Sequence, residues 1–257
     1  LANFPTETSK HHFDGADGAA MAWHGMGPED GRPVILIHGL FSNAFTNWVR
    51  YGHAAKLAAK GRRVIMPDLR AHGDSAKPHD PSGYSADILA EDNLALIEQL
   101  GLKPGDYDLG GYSLGGRTTA RMLVRGAKPG KALLAGMGLE GLLDLGGRVS
   151  FFRKVLEGAG THAKFSPEWM AEGFLKTTGG DAKALLLLLD NFPKIARASL
   201  NDLDMPILVL TGSEDQDNGS ARALATALPN AGFVEVPGNH MSAVTLPSLG
   251  DALADWF

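Results

Sequence analysis

The sequence predicts an α/β fold, with a mostly parallel, doubly wound sheet and a helical lid inserted late in the chain. Two observations carry this expectation. Short apolar runs recur at residues 34–38, 64–68, 107–111, 132–137, 206–211 and 232–236. They are mostly continuous rather than alternating, which is the pattern of strands buried on both faces of a sheet. Helical patterns separate them at 47–59, 86–100, 114–125 and 220–228, with a last one at 248–257. Repeated strand–helix–strand order implies parallel neighbours.

Taken in order, residues 12–25 read as an antiparallel hairpin ahead of the first parallel strand. Gly101 and Gly126 stand where helix C-terminal stops are expected. From 139 to 204 the rhythm breaks. No convincing strand appears there, although connections in such folds normally take a few residues. The segment holds Leu142, Leu143, Leu145, Val149, Phe151 and Phe152, then Trp169, Met170, Phe174, Leu175 and the run from Ala184 to Leu189. It reads either as further core helices or as a helical lid over the carboxyl edge of the sheet, and the lid is the preferred reading. The core is then 1–138 with 205–257, and the cap is 139–204.

Composition removes several classes of function. With 24 Lys and Arg against 29 Asp and Glu, the formal charge of −5 is not that of a strongly basic nucleic-acid binder. A 44% hydrophobic and 21% charged chain can bury a core. The absence of cysteine excludes disulfides, thiolate metal sites and thiol nucleophiles together. The longest wholly apolar run, Ala184 to Leu189, is far short of the ~20 residues that span a bilayer. Residues 1–17 are polar and lack an apolar signal core, so a cytoplasmic location is expected.

The segment Gly110-Gly111-Tyr112-Ser113-Leu114-Gly115-Gly116 matches G-x-S-x-G, directly after a predicted strand and at the start of a predicted helix. A sharp strand-to-helix turn there strains the serine backbone and lifts its hydroxyl clear of the sheet. Glycines at 111 and 115 remove β-carbons that would collide where strand and helix run close. The helix start also directs N–H groups and a positive dipole end at any anion formed beside Ser113. The bland reading is a glycine-rich turn with an incidental serine.

Serine is a weak nucleophile and needs a base, and the base needs an orienting group. Only His162 and His240 follow Ser113; His162 lies inside the insertion, whereas His240 follows the last strand, in a loop at its carboxyl end. The run Thr211-Gly212-Ser213-Glu214-Asp215-Gln216-Asp217 follows another strand and offers three acids. Asp215 is the favoured orienting acid. Asp217 and Glu140 stand as alternatives, and a helix N-cap near Ser220 would account for Asp217 equally well. Oxyanion donors are expected from the N–H of Leu114 and from Leu40, in His38-Gly39-Leu40-Phe41. His38 reads as a structural brace for that loop.

These segments together resemble the α/β-hydrolase superfamily, in particular its small serine esterases with a helical cap, over roughly residues 20–257. Five ordered motifs carry the resemblance: His38-Gly39, the stretch Asp68 to Ser75, Gly111 to Gly115, Gly212 to Asp215, and Gly238-Asn239-His240. The resemblance implies a triad in the order Ser113, Asp215, His240, with Leu40 and Leu114 as oxyanion donors. It also equates Arg70 to Ser75 with the family's R-G-H-G-x-S turn, Ala71 replacing the usual glycine, and this turn reads as structural. Serine at the elbow excludes the dehalogenase and epoxide hydrolase branches, which resemble this family but carry aspartate there. Leu40-Phe41 after His-Gly departs from the H-G-G-G lipases.

Three other patterns fail on inspection. Gly136-Met137-Gly138-Leu139-Glu140-Gly141 is a literal G-x-G-x-x-G, but Gly146-Gly147 interrupts the helix it needs and no strand precedes Glu157. The acidic run 215–219 places its glycine one position early for a calcium loop, with Thr226 where the bidentate glutamate belongs. His11-His12 with Asp14 lacks a ligand set of recognised metal spacing. The function expected is therefore hydrolysis of a short to medium, largely apolar, small-molecule carboxylic ester through an acyl-enzyme. It needs no cofactor or metal, and Phe151, Phe152, Trp169 and Phe174 are available to face the pocket. Thioesterase, lactonase, carbon–carbon bond hydrolase and perhydrolase activities share the same triad, and a ligand-binding receptor on the same fold is the non-enzymatic alternative.

Overall fold

The computed structural model describes residues 5–144 and 146–257. Leu145 of the insertion and the start of the polar segment 1–17 lie outside the described residues. Strands β1 (Ser9–Asp14) and β2 (Ala20–Met26) form the expected hairpin. They are followed by β3 (Arg32–Ile37), β4 (Arg62–Pro67), β5 (Asp108–Tyr112), β6 (Ala132–Ala135), β7 (Ile207–Gly212) and β8 (Ala231–Val236). One sheet contains them in the order β1-β2-β4-β3-β5-β6-β7-β8. The β1–β2 and β2–β4 pairs are antiparallel, and the pairs from β4 through β8 are parallel. Because β4 lies on one side of β3 and β5 on the other, the connections leaving β3 and β5 diverge, and a crevice opens at the carboxyl edge between them.

Alternate residues of each central strand enter opposite layers, which explains their unbroken apolar runs. Val34 and Leu36 of β3, Val64 and Met66 of β4 and Leu208 and Leu210 of β7 pack beneath α1 (His53–Ala59) and α10 (Pro247–Trp256), against Leu57, Leu249 and Leu253. Ile35 and Ile37, Leu109, Leu134 and Val209 face the other way. They meet Leu96, Met122 and Leu224 of α2 (Ile88–Gln99), α3 (Leu114–Val124) and α8 (Ala221–Ala227). Each buried aliphatic side chain contributes about 1.5–3 kcal/mol, so neither face can be left open to water.

The helix expected at 47–59 is two elements. A π-helical turn, Phe45–Val49, ends before Gly52, which takes φ 80° and opens α1 at His53. A residue in this left-handed region cannot continue a right-handed helix, so the chain turns there.

Between β6 and β7 the chain is helical: α4 (Leu139–Leu143), α5 (Gly146–Glu157), α6 (Pro167–Thr177), α7 (Ala182–Leu189) and a 3-10 segment, Arg197–Asp202. The Ser166 and Asp181 side chains cap α6 and α7 by accepting the N–H of Trp169 and Ala184. Leu142, Val155, Leu175, Leu185 and Leu188 join the same apolar cluster as the α2 and α3 face. Arg117 of α3 fastens both ends of this segment. Its buried guanidinium donates to Gly141 O and Leu142 O, at 2.6 and 2.9 Å, and to Pro193 O. With carbonyls as these partners, burial pulls its pKa down to about 10. No helix among the described residues is long and apolar enough to cross a membrane.

Candidate active site

Ser113 sits between β5 and α3 at φ 57° and ψ −115°, a region that L-residues rarely adopt. The flanking glycines are sterically required. A β-carbon on Gly111 would lie 2.3 Å from the Gly115 carbonyl carbon, and one on Gly115 would lie 1.9 Å from Ile37 O. Strand, turn and helix are thus pressed together closely enough to hold the strained serine in place.

His240 is not in a loop, as the sequence implied, but opens the short helix α9 (His240–Ala243). Asn239 caps it, accepting the N–H of Met241 and Ser242 on its side chain, while Ser242 Oγ accepts the Asn239 N–H at 2.9 Å. Tyr112 fixes the backbone here, its hydroxyl donating to His240 O at 2.6 Å, and its ring lies 5.3 Å from the imidazole. The loops after β7 and β8 are joined by Ser213 N–H to Val236 O and Glu214 N–H to Gly238 O, at 2.7 and 3.0 Å.

This construction brings Ser113, Asp215 and His240 together. Asp215 Oδ2 lies 2.8 Å from His240 Nδ1, and His240 Nε2 lies 2.9 Å from Ser113 Oγ. Asp215 and His240 are 7% and 6% exposed, which shields their pairing from solvent. Asp215 Oδ1 also accepts the Asp217 N–H at 3.1 Å, so one carboxylate makes the Asx turn and meets the imidazole.

The alternatives for the acid have other partners, although Asp217 lies in the wall of the same cavity. Asp217 forms an ion pair with Arg148 at 3.2 Å, and it is Ser220, not Asp217, that caps α8. Glu140 accepts the Ser220 N–H at 2.7 Å. His162 Nε2 contacts Val155 O within the helical segment.

The turn after β3 approaches the serine closely, since a β-carbon on Gly39 would lie 3.4 Å from Ser113 Cβ. Its amides have distinct partners. Gly39 N–H donates to Asn47 Oδ1 at 3.0 Å and Phe41 N–H to His72 Nε2 at 3.2 Å. Leu40 N–H lies between two committed groups, and Leu114 N–H belongs to the first turn of α3, where no helical carbonyl precedes it.

His38 and His72 brace this turn as neutral rings. Each Nε2 accepts an amide proton, from Leu69 and Phe41, so each proton resides on Nδ1, which donates to Gly39 O or Arg70 O. Burial lowers both pKa values, that of His72 to about 3. Arg70, Ala71 and Ser75 in the following turn have structural partners or geometry. Arg70 pairs with Asp17 and Asp92 at 2.6 and 2.9 Å, Ser75 Oγ donates to Asp68 O at 2.6 Å, and Ala71 takes φ 69°, a conformation natural to glycine.

A cavity of about 640 Å³ opens over Ser113 and His240. Phe151, Phe152, Met170 and Phe174 line it together with Phe41 and Tyr51, and the Phe41 ring meets that of Phe152 edge-on at 5.2 Å. Trp169 is not among its walls, contrary to the sequence reading: it is 40% exposed and meets the Phe165 ring at 5.5 Å. The 3.6-residue helical period puts 170 and 174 on one face, which borders the cavity, and 169 beside it. The sequence reading also missed Arg148, which lines the cavity with its guanidinium 4.8 Å from the Phe152 ring. No local signal marked it, because an arginine at a helix start is ordinarily solvated.

One group of potential metal ligands occurs among the described residues: His24, Asp68 and Asp74, with atoms within 4.8 Å of one another. It lies apart from the cavity walls. Asp68 already accepts the N–H of Ala44 and Asp74, both at 2.8 Å.

Comparisons with known proteins agree with this architecture. The model of the alpha/beta hydrolase family matches residues 34–256. The chain is 37% identical over 126 residues to the dihydrolipoyllysine-residue acetyltransferase component of the acetoin cleaving system of Pseudomonas putida, covering 48% of this chain and 31% of that protein. It is 34% identical over 122 residues to a non-heme chloroperoxidase of Streptomyces lividans, covering 47% of this chain and 41% of that protein. Both matches thus span less than half of the relative's length. An esterase from Exiguobacterium antarcticum superposes with a TM-score of 0.76 at 21% identity, over 95% of this chain and 98% of that one, which shows a shared fold. With the family model covering the chain from β3 to α10, the protein belongs to the alpha/beta hydrolase family.

Proposed function

We propose that the chain is a serine hydrolase that cleaves a carboxylic ester through an acyl-enzyme. The observation that carries this reading is the continuous hydrogen-bonded line from Asp215 through His240 to Ser113, opening into a largely apolar cavity. A receptor would gain nothing from such a line. Ser113 Oγ attacks the carbonyl carbon as its proton passes to His240 Nε2, and Asp215 keeps the other ring proton on Nδ1. The N–H groups of Leu40 and Leu114 receive the oxyanion, a donor of this kind being worth about 2.7–4 kcal/mol in the transition state. The ester C–O bond breaks, and His240 returns the proton to the departing alcohol. Water then adds to the acyl-enzyme by the same route in reverse, releasing the carboxylic acid and restoring Ser113. Segment 139–204 acts as the cap, with Phe151, Phe152 and Phe174 providing an apolar wall for a small-molecule ester.

The test is a fluorophosphonate probe together with p-nitrophenyl esters. The wild type is expected to be labelled and to turn over ester above background, with both properties lost in Ser113→Ala. Labelling that survives the substitution refutes the assignment. The chloroperoxidase similarity favours a second reading, in which hydrogen peroxide replaces water at the acyl-enzyme and a peracid is released. Peracid formation from an ester and peroxide, dependent on Ser113, would distinguish it.

A further inference from the structure

Two cavities meet at Ser113. The larger, about 640 Å³, has His240 in its wall. The smaller, about 40 Å³, is bordered by Leu40, Leu114, Met137, Val149, Leu189 and Phe192 among others, and His240 is not in its wall. The polar residues that border it are engaged elsewhere. Arg117 binds carbonyls, Arg148 pairs with Asp217 at 3.2 Å, and Asn218 Nδ2 donates to Gly136 O at 2.8 Å. The small cavity therefore suits an apolar group.

The stereochemistry of acyl transfer assigns the two spaces. The tetrahedral carbon bears Ser113 Oγ, the oxyanion, the leaving oxygen and the acyl chain. The oxyanion belongs at the Leu40 and Leu114 N–H groups. The leaving oxygen must receive the proton held on His240 Nε2, so the alcohol part extends into the cavity that His240 lines. The remaining direction, away from His240, points the acyl chain at the small cavity. A space of about 40 Å³ is little more than one water's ~30 Å³ share of the liquid, so it accepts only a short chain beyond the carbonyl.

We propose that this protein is selective for esters joining a short acyl group, of about two to four carbons, to a bulkier apolar alcohol, with Phe192 setting the acyl limit. Three residues, Leu114, Arg117 and Phe192, border both the small space and a third cavity of about 30 Å³, and of these only Phe192 lies outside α3. Truncating that ring is expected to enlarge the small space. The proposal rests on the esterase reading and adds the division of the substrate between the cavities.

The experiment measures kcat/KM of the whole chain for p-nitrophenyl acetate, butyrate, hexanoate and octanoate, and for naphthyl acetate. A misfit of a few methylenes costs about tenfold or more, so the rate is expected to fall by at least that factor from butyrate to octanoate, with naphthyl acetate well accepted. Phe192→Ala is expected to raise the octanoate-to-acetate ratio by about tenfold. Octanoate cleaved by the wild type as well as acetate would overturn the acyl limit, and this series decides the matter even if the variant fails to fold. A folded Phe192→Ala variant with an unchanged ratio would remove Phe192 as the limit. Failure of the esterase reading looks different: no ester of any length is turned over, and Ser113 takes no fluorophosphonate label.

Discussion

Under the proposed mechanism, replacing Asp215 by Asn separates the orienting role assigned to this residue from its structural one. Asp215 Oδ1 accepts the Asp217 N–H at 3.1 Å, while Oδ2 faces His240 Nδ1 at 2.8 Å. An amide side chain keeps the first contact only with its oxygen toward Asp217, which aims its NH₂ group at His240. That group donates, so Nδ1 becomes an acceptor and the ring proton moves to Nε2. Nε2 then presents a hydrogen to Ser113 Oγ and cannot remove one. The geometry is preserved but the tautomer is wrong, a change that in a triad costs about 10⁴ in kcat, or about 5.5 kcal/mol. Asp217→Asn breaks only the partly exposed pair with Arg148 and is expected to change the rate by no more than a few-fold. The assay is kcat/KM for p-nitrophenyl acetate in both variants, with thermal melting to verify folding. A folded Asp215→Asn enzyme within tenfold of wild type, or a greater loss in Asp217→Asn, refutes the reasoning.

Two further outcomes follow from the packing. Burial holds the pKa of His53 down at about 4 and that of His72 at about 3, against 6.5 for a free side chain. Between those values the unfolded chain carries more protons, so stability is complete above about pH 6.5 and declines as the pH falls toward 4, by up to about 1.4 kcal/mol per unit for each histidine; urea midpoints unchanged from pH 7.5 to 5 would contradict this. Gly115→Ala places a β-carbon 1.9 Å from Ile37 O. It is expected to cost about 1–3 kcal/mol or more and to displace Ser113, so a variant with wild-type melting temperature and rate would show that the turn relaxes freely.

Much of the architecture is legible in the sequence because its signals are local. The continuous apolar run at 34–37 already requires two covered faces, and Val34 and Leu36 do enter one layer while Ile35 and Ile37 enter the other. The glycines at 111 and 115 are likewise readable within a few residues of the serine they position. The order serine, acid, histidine along the chain, each after a strand, is a consequence of a parallel sheet that gathers strand ends along one edge.

What lies outside those short windows depended on the tertiary structure. Asp215 and Asp217 are near-equivalent in sequence, and only the approach of α9 across the end of β7 distinguishes the acid that meets His240 from the one that meets Arg148. The insertion is recognisable as helical and apolar, but its facing is not, so the sequence offers Trp169 as readily as Phe174 for the cavity and gives no sign of Arg148. The turn of a helix about its own axis is set by what it packs against, and the inward face of α5 is fixed where Phe152 meets the ring of Phe41, more than a hundred positions away. The sequence by itself thus determined the sheet, the strained serine and the types of residue available to it. The division of the space around Ser113 into a large and a small cavity was decided only when segments with no local rule connecting them came into contact.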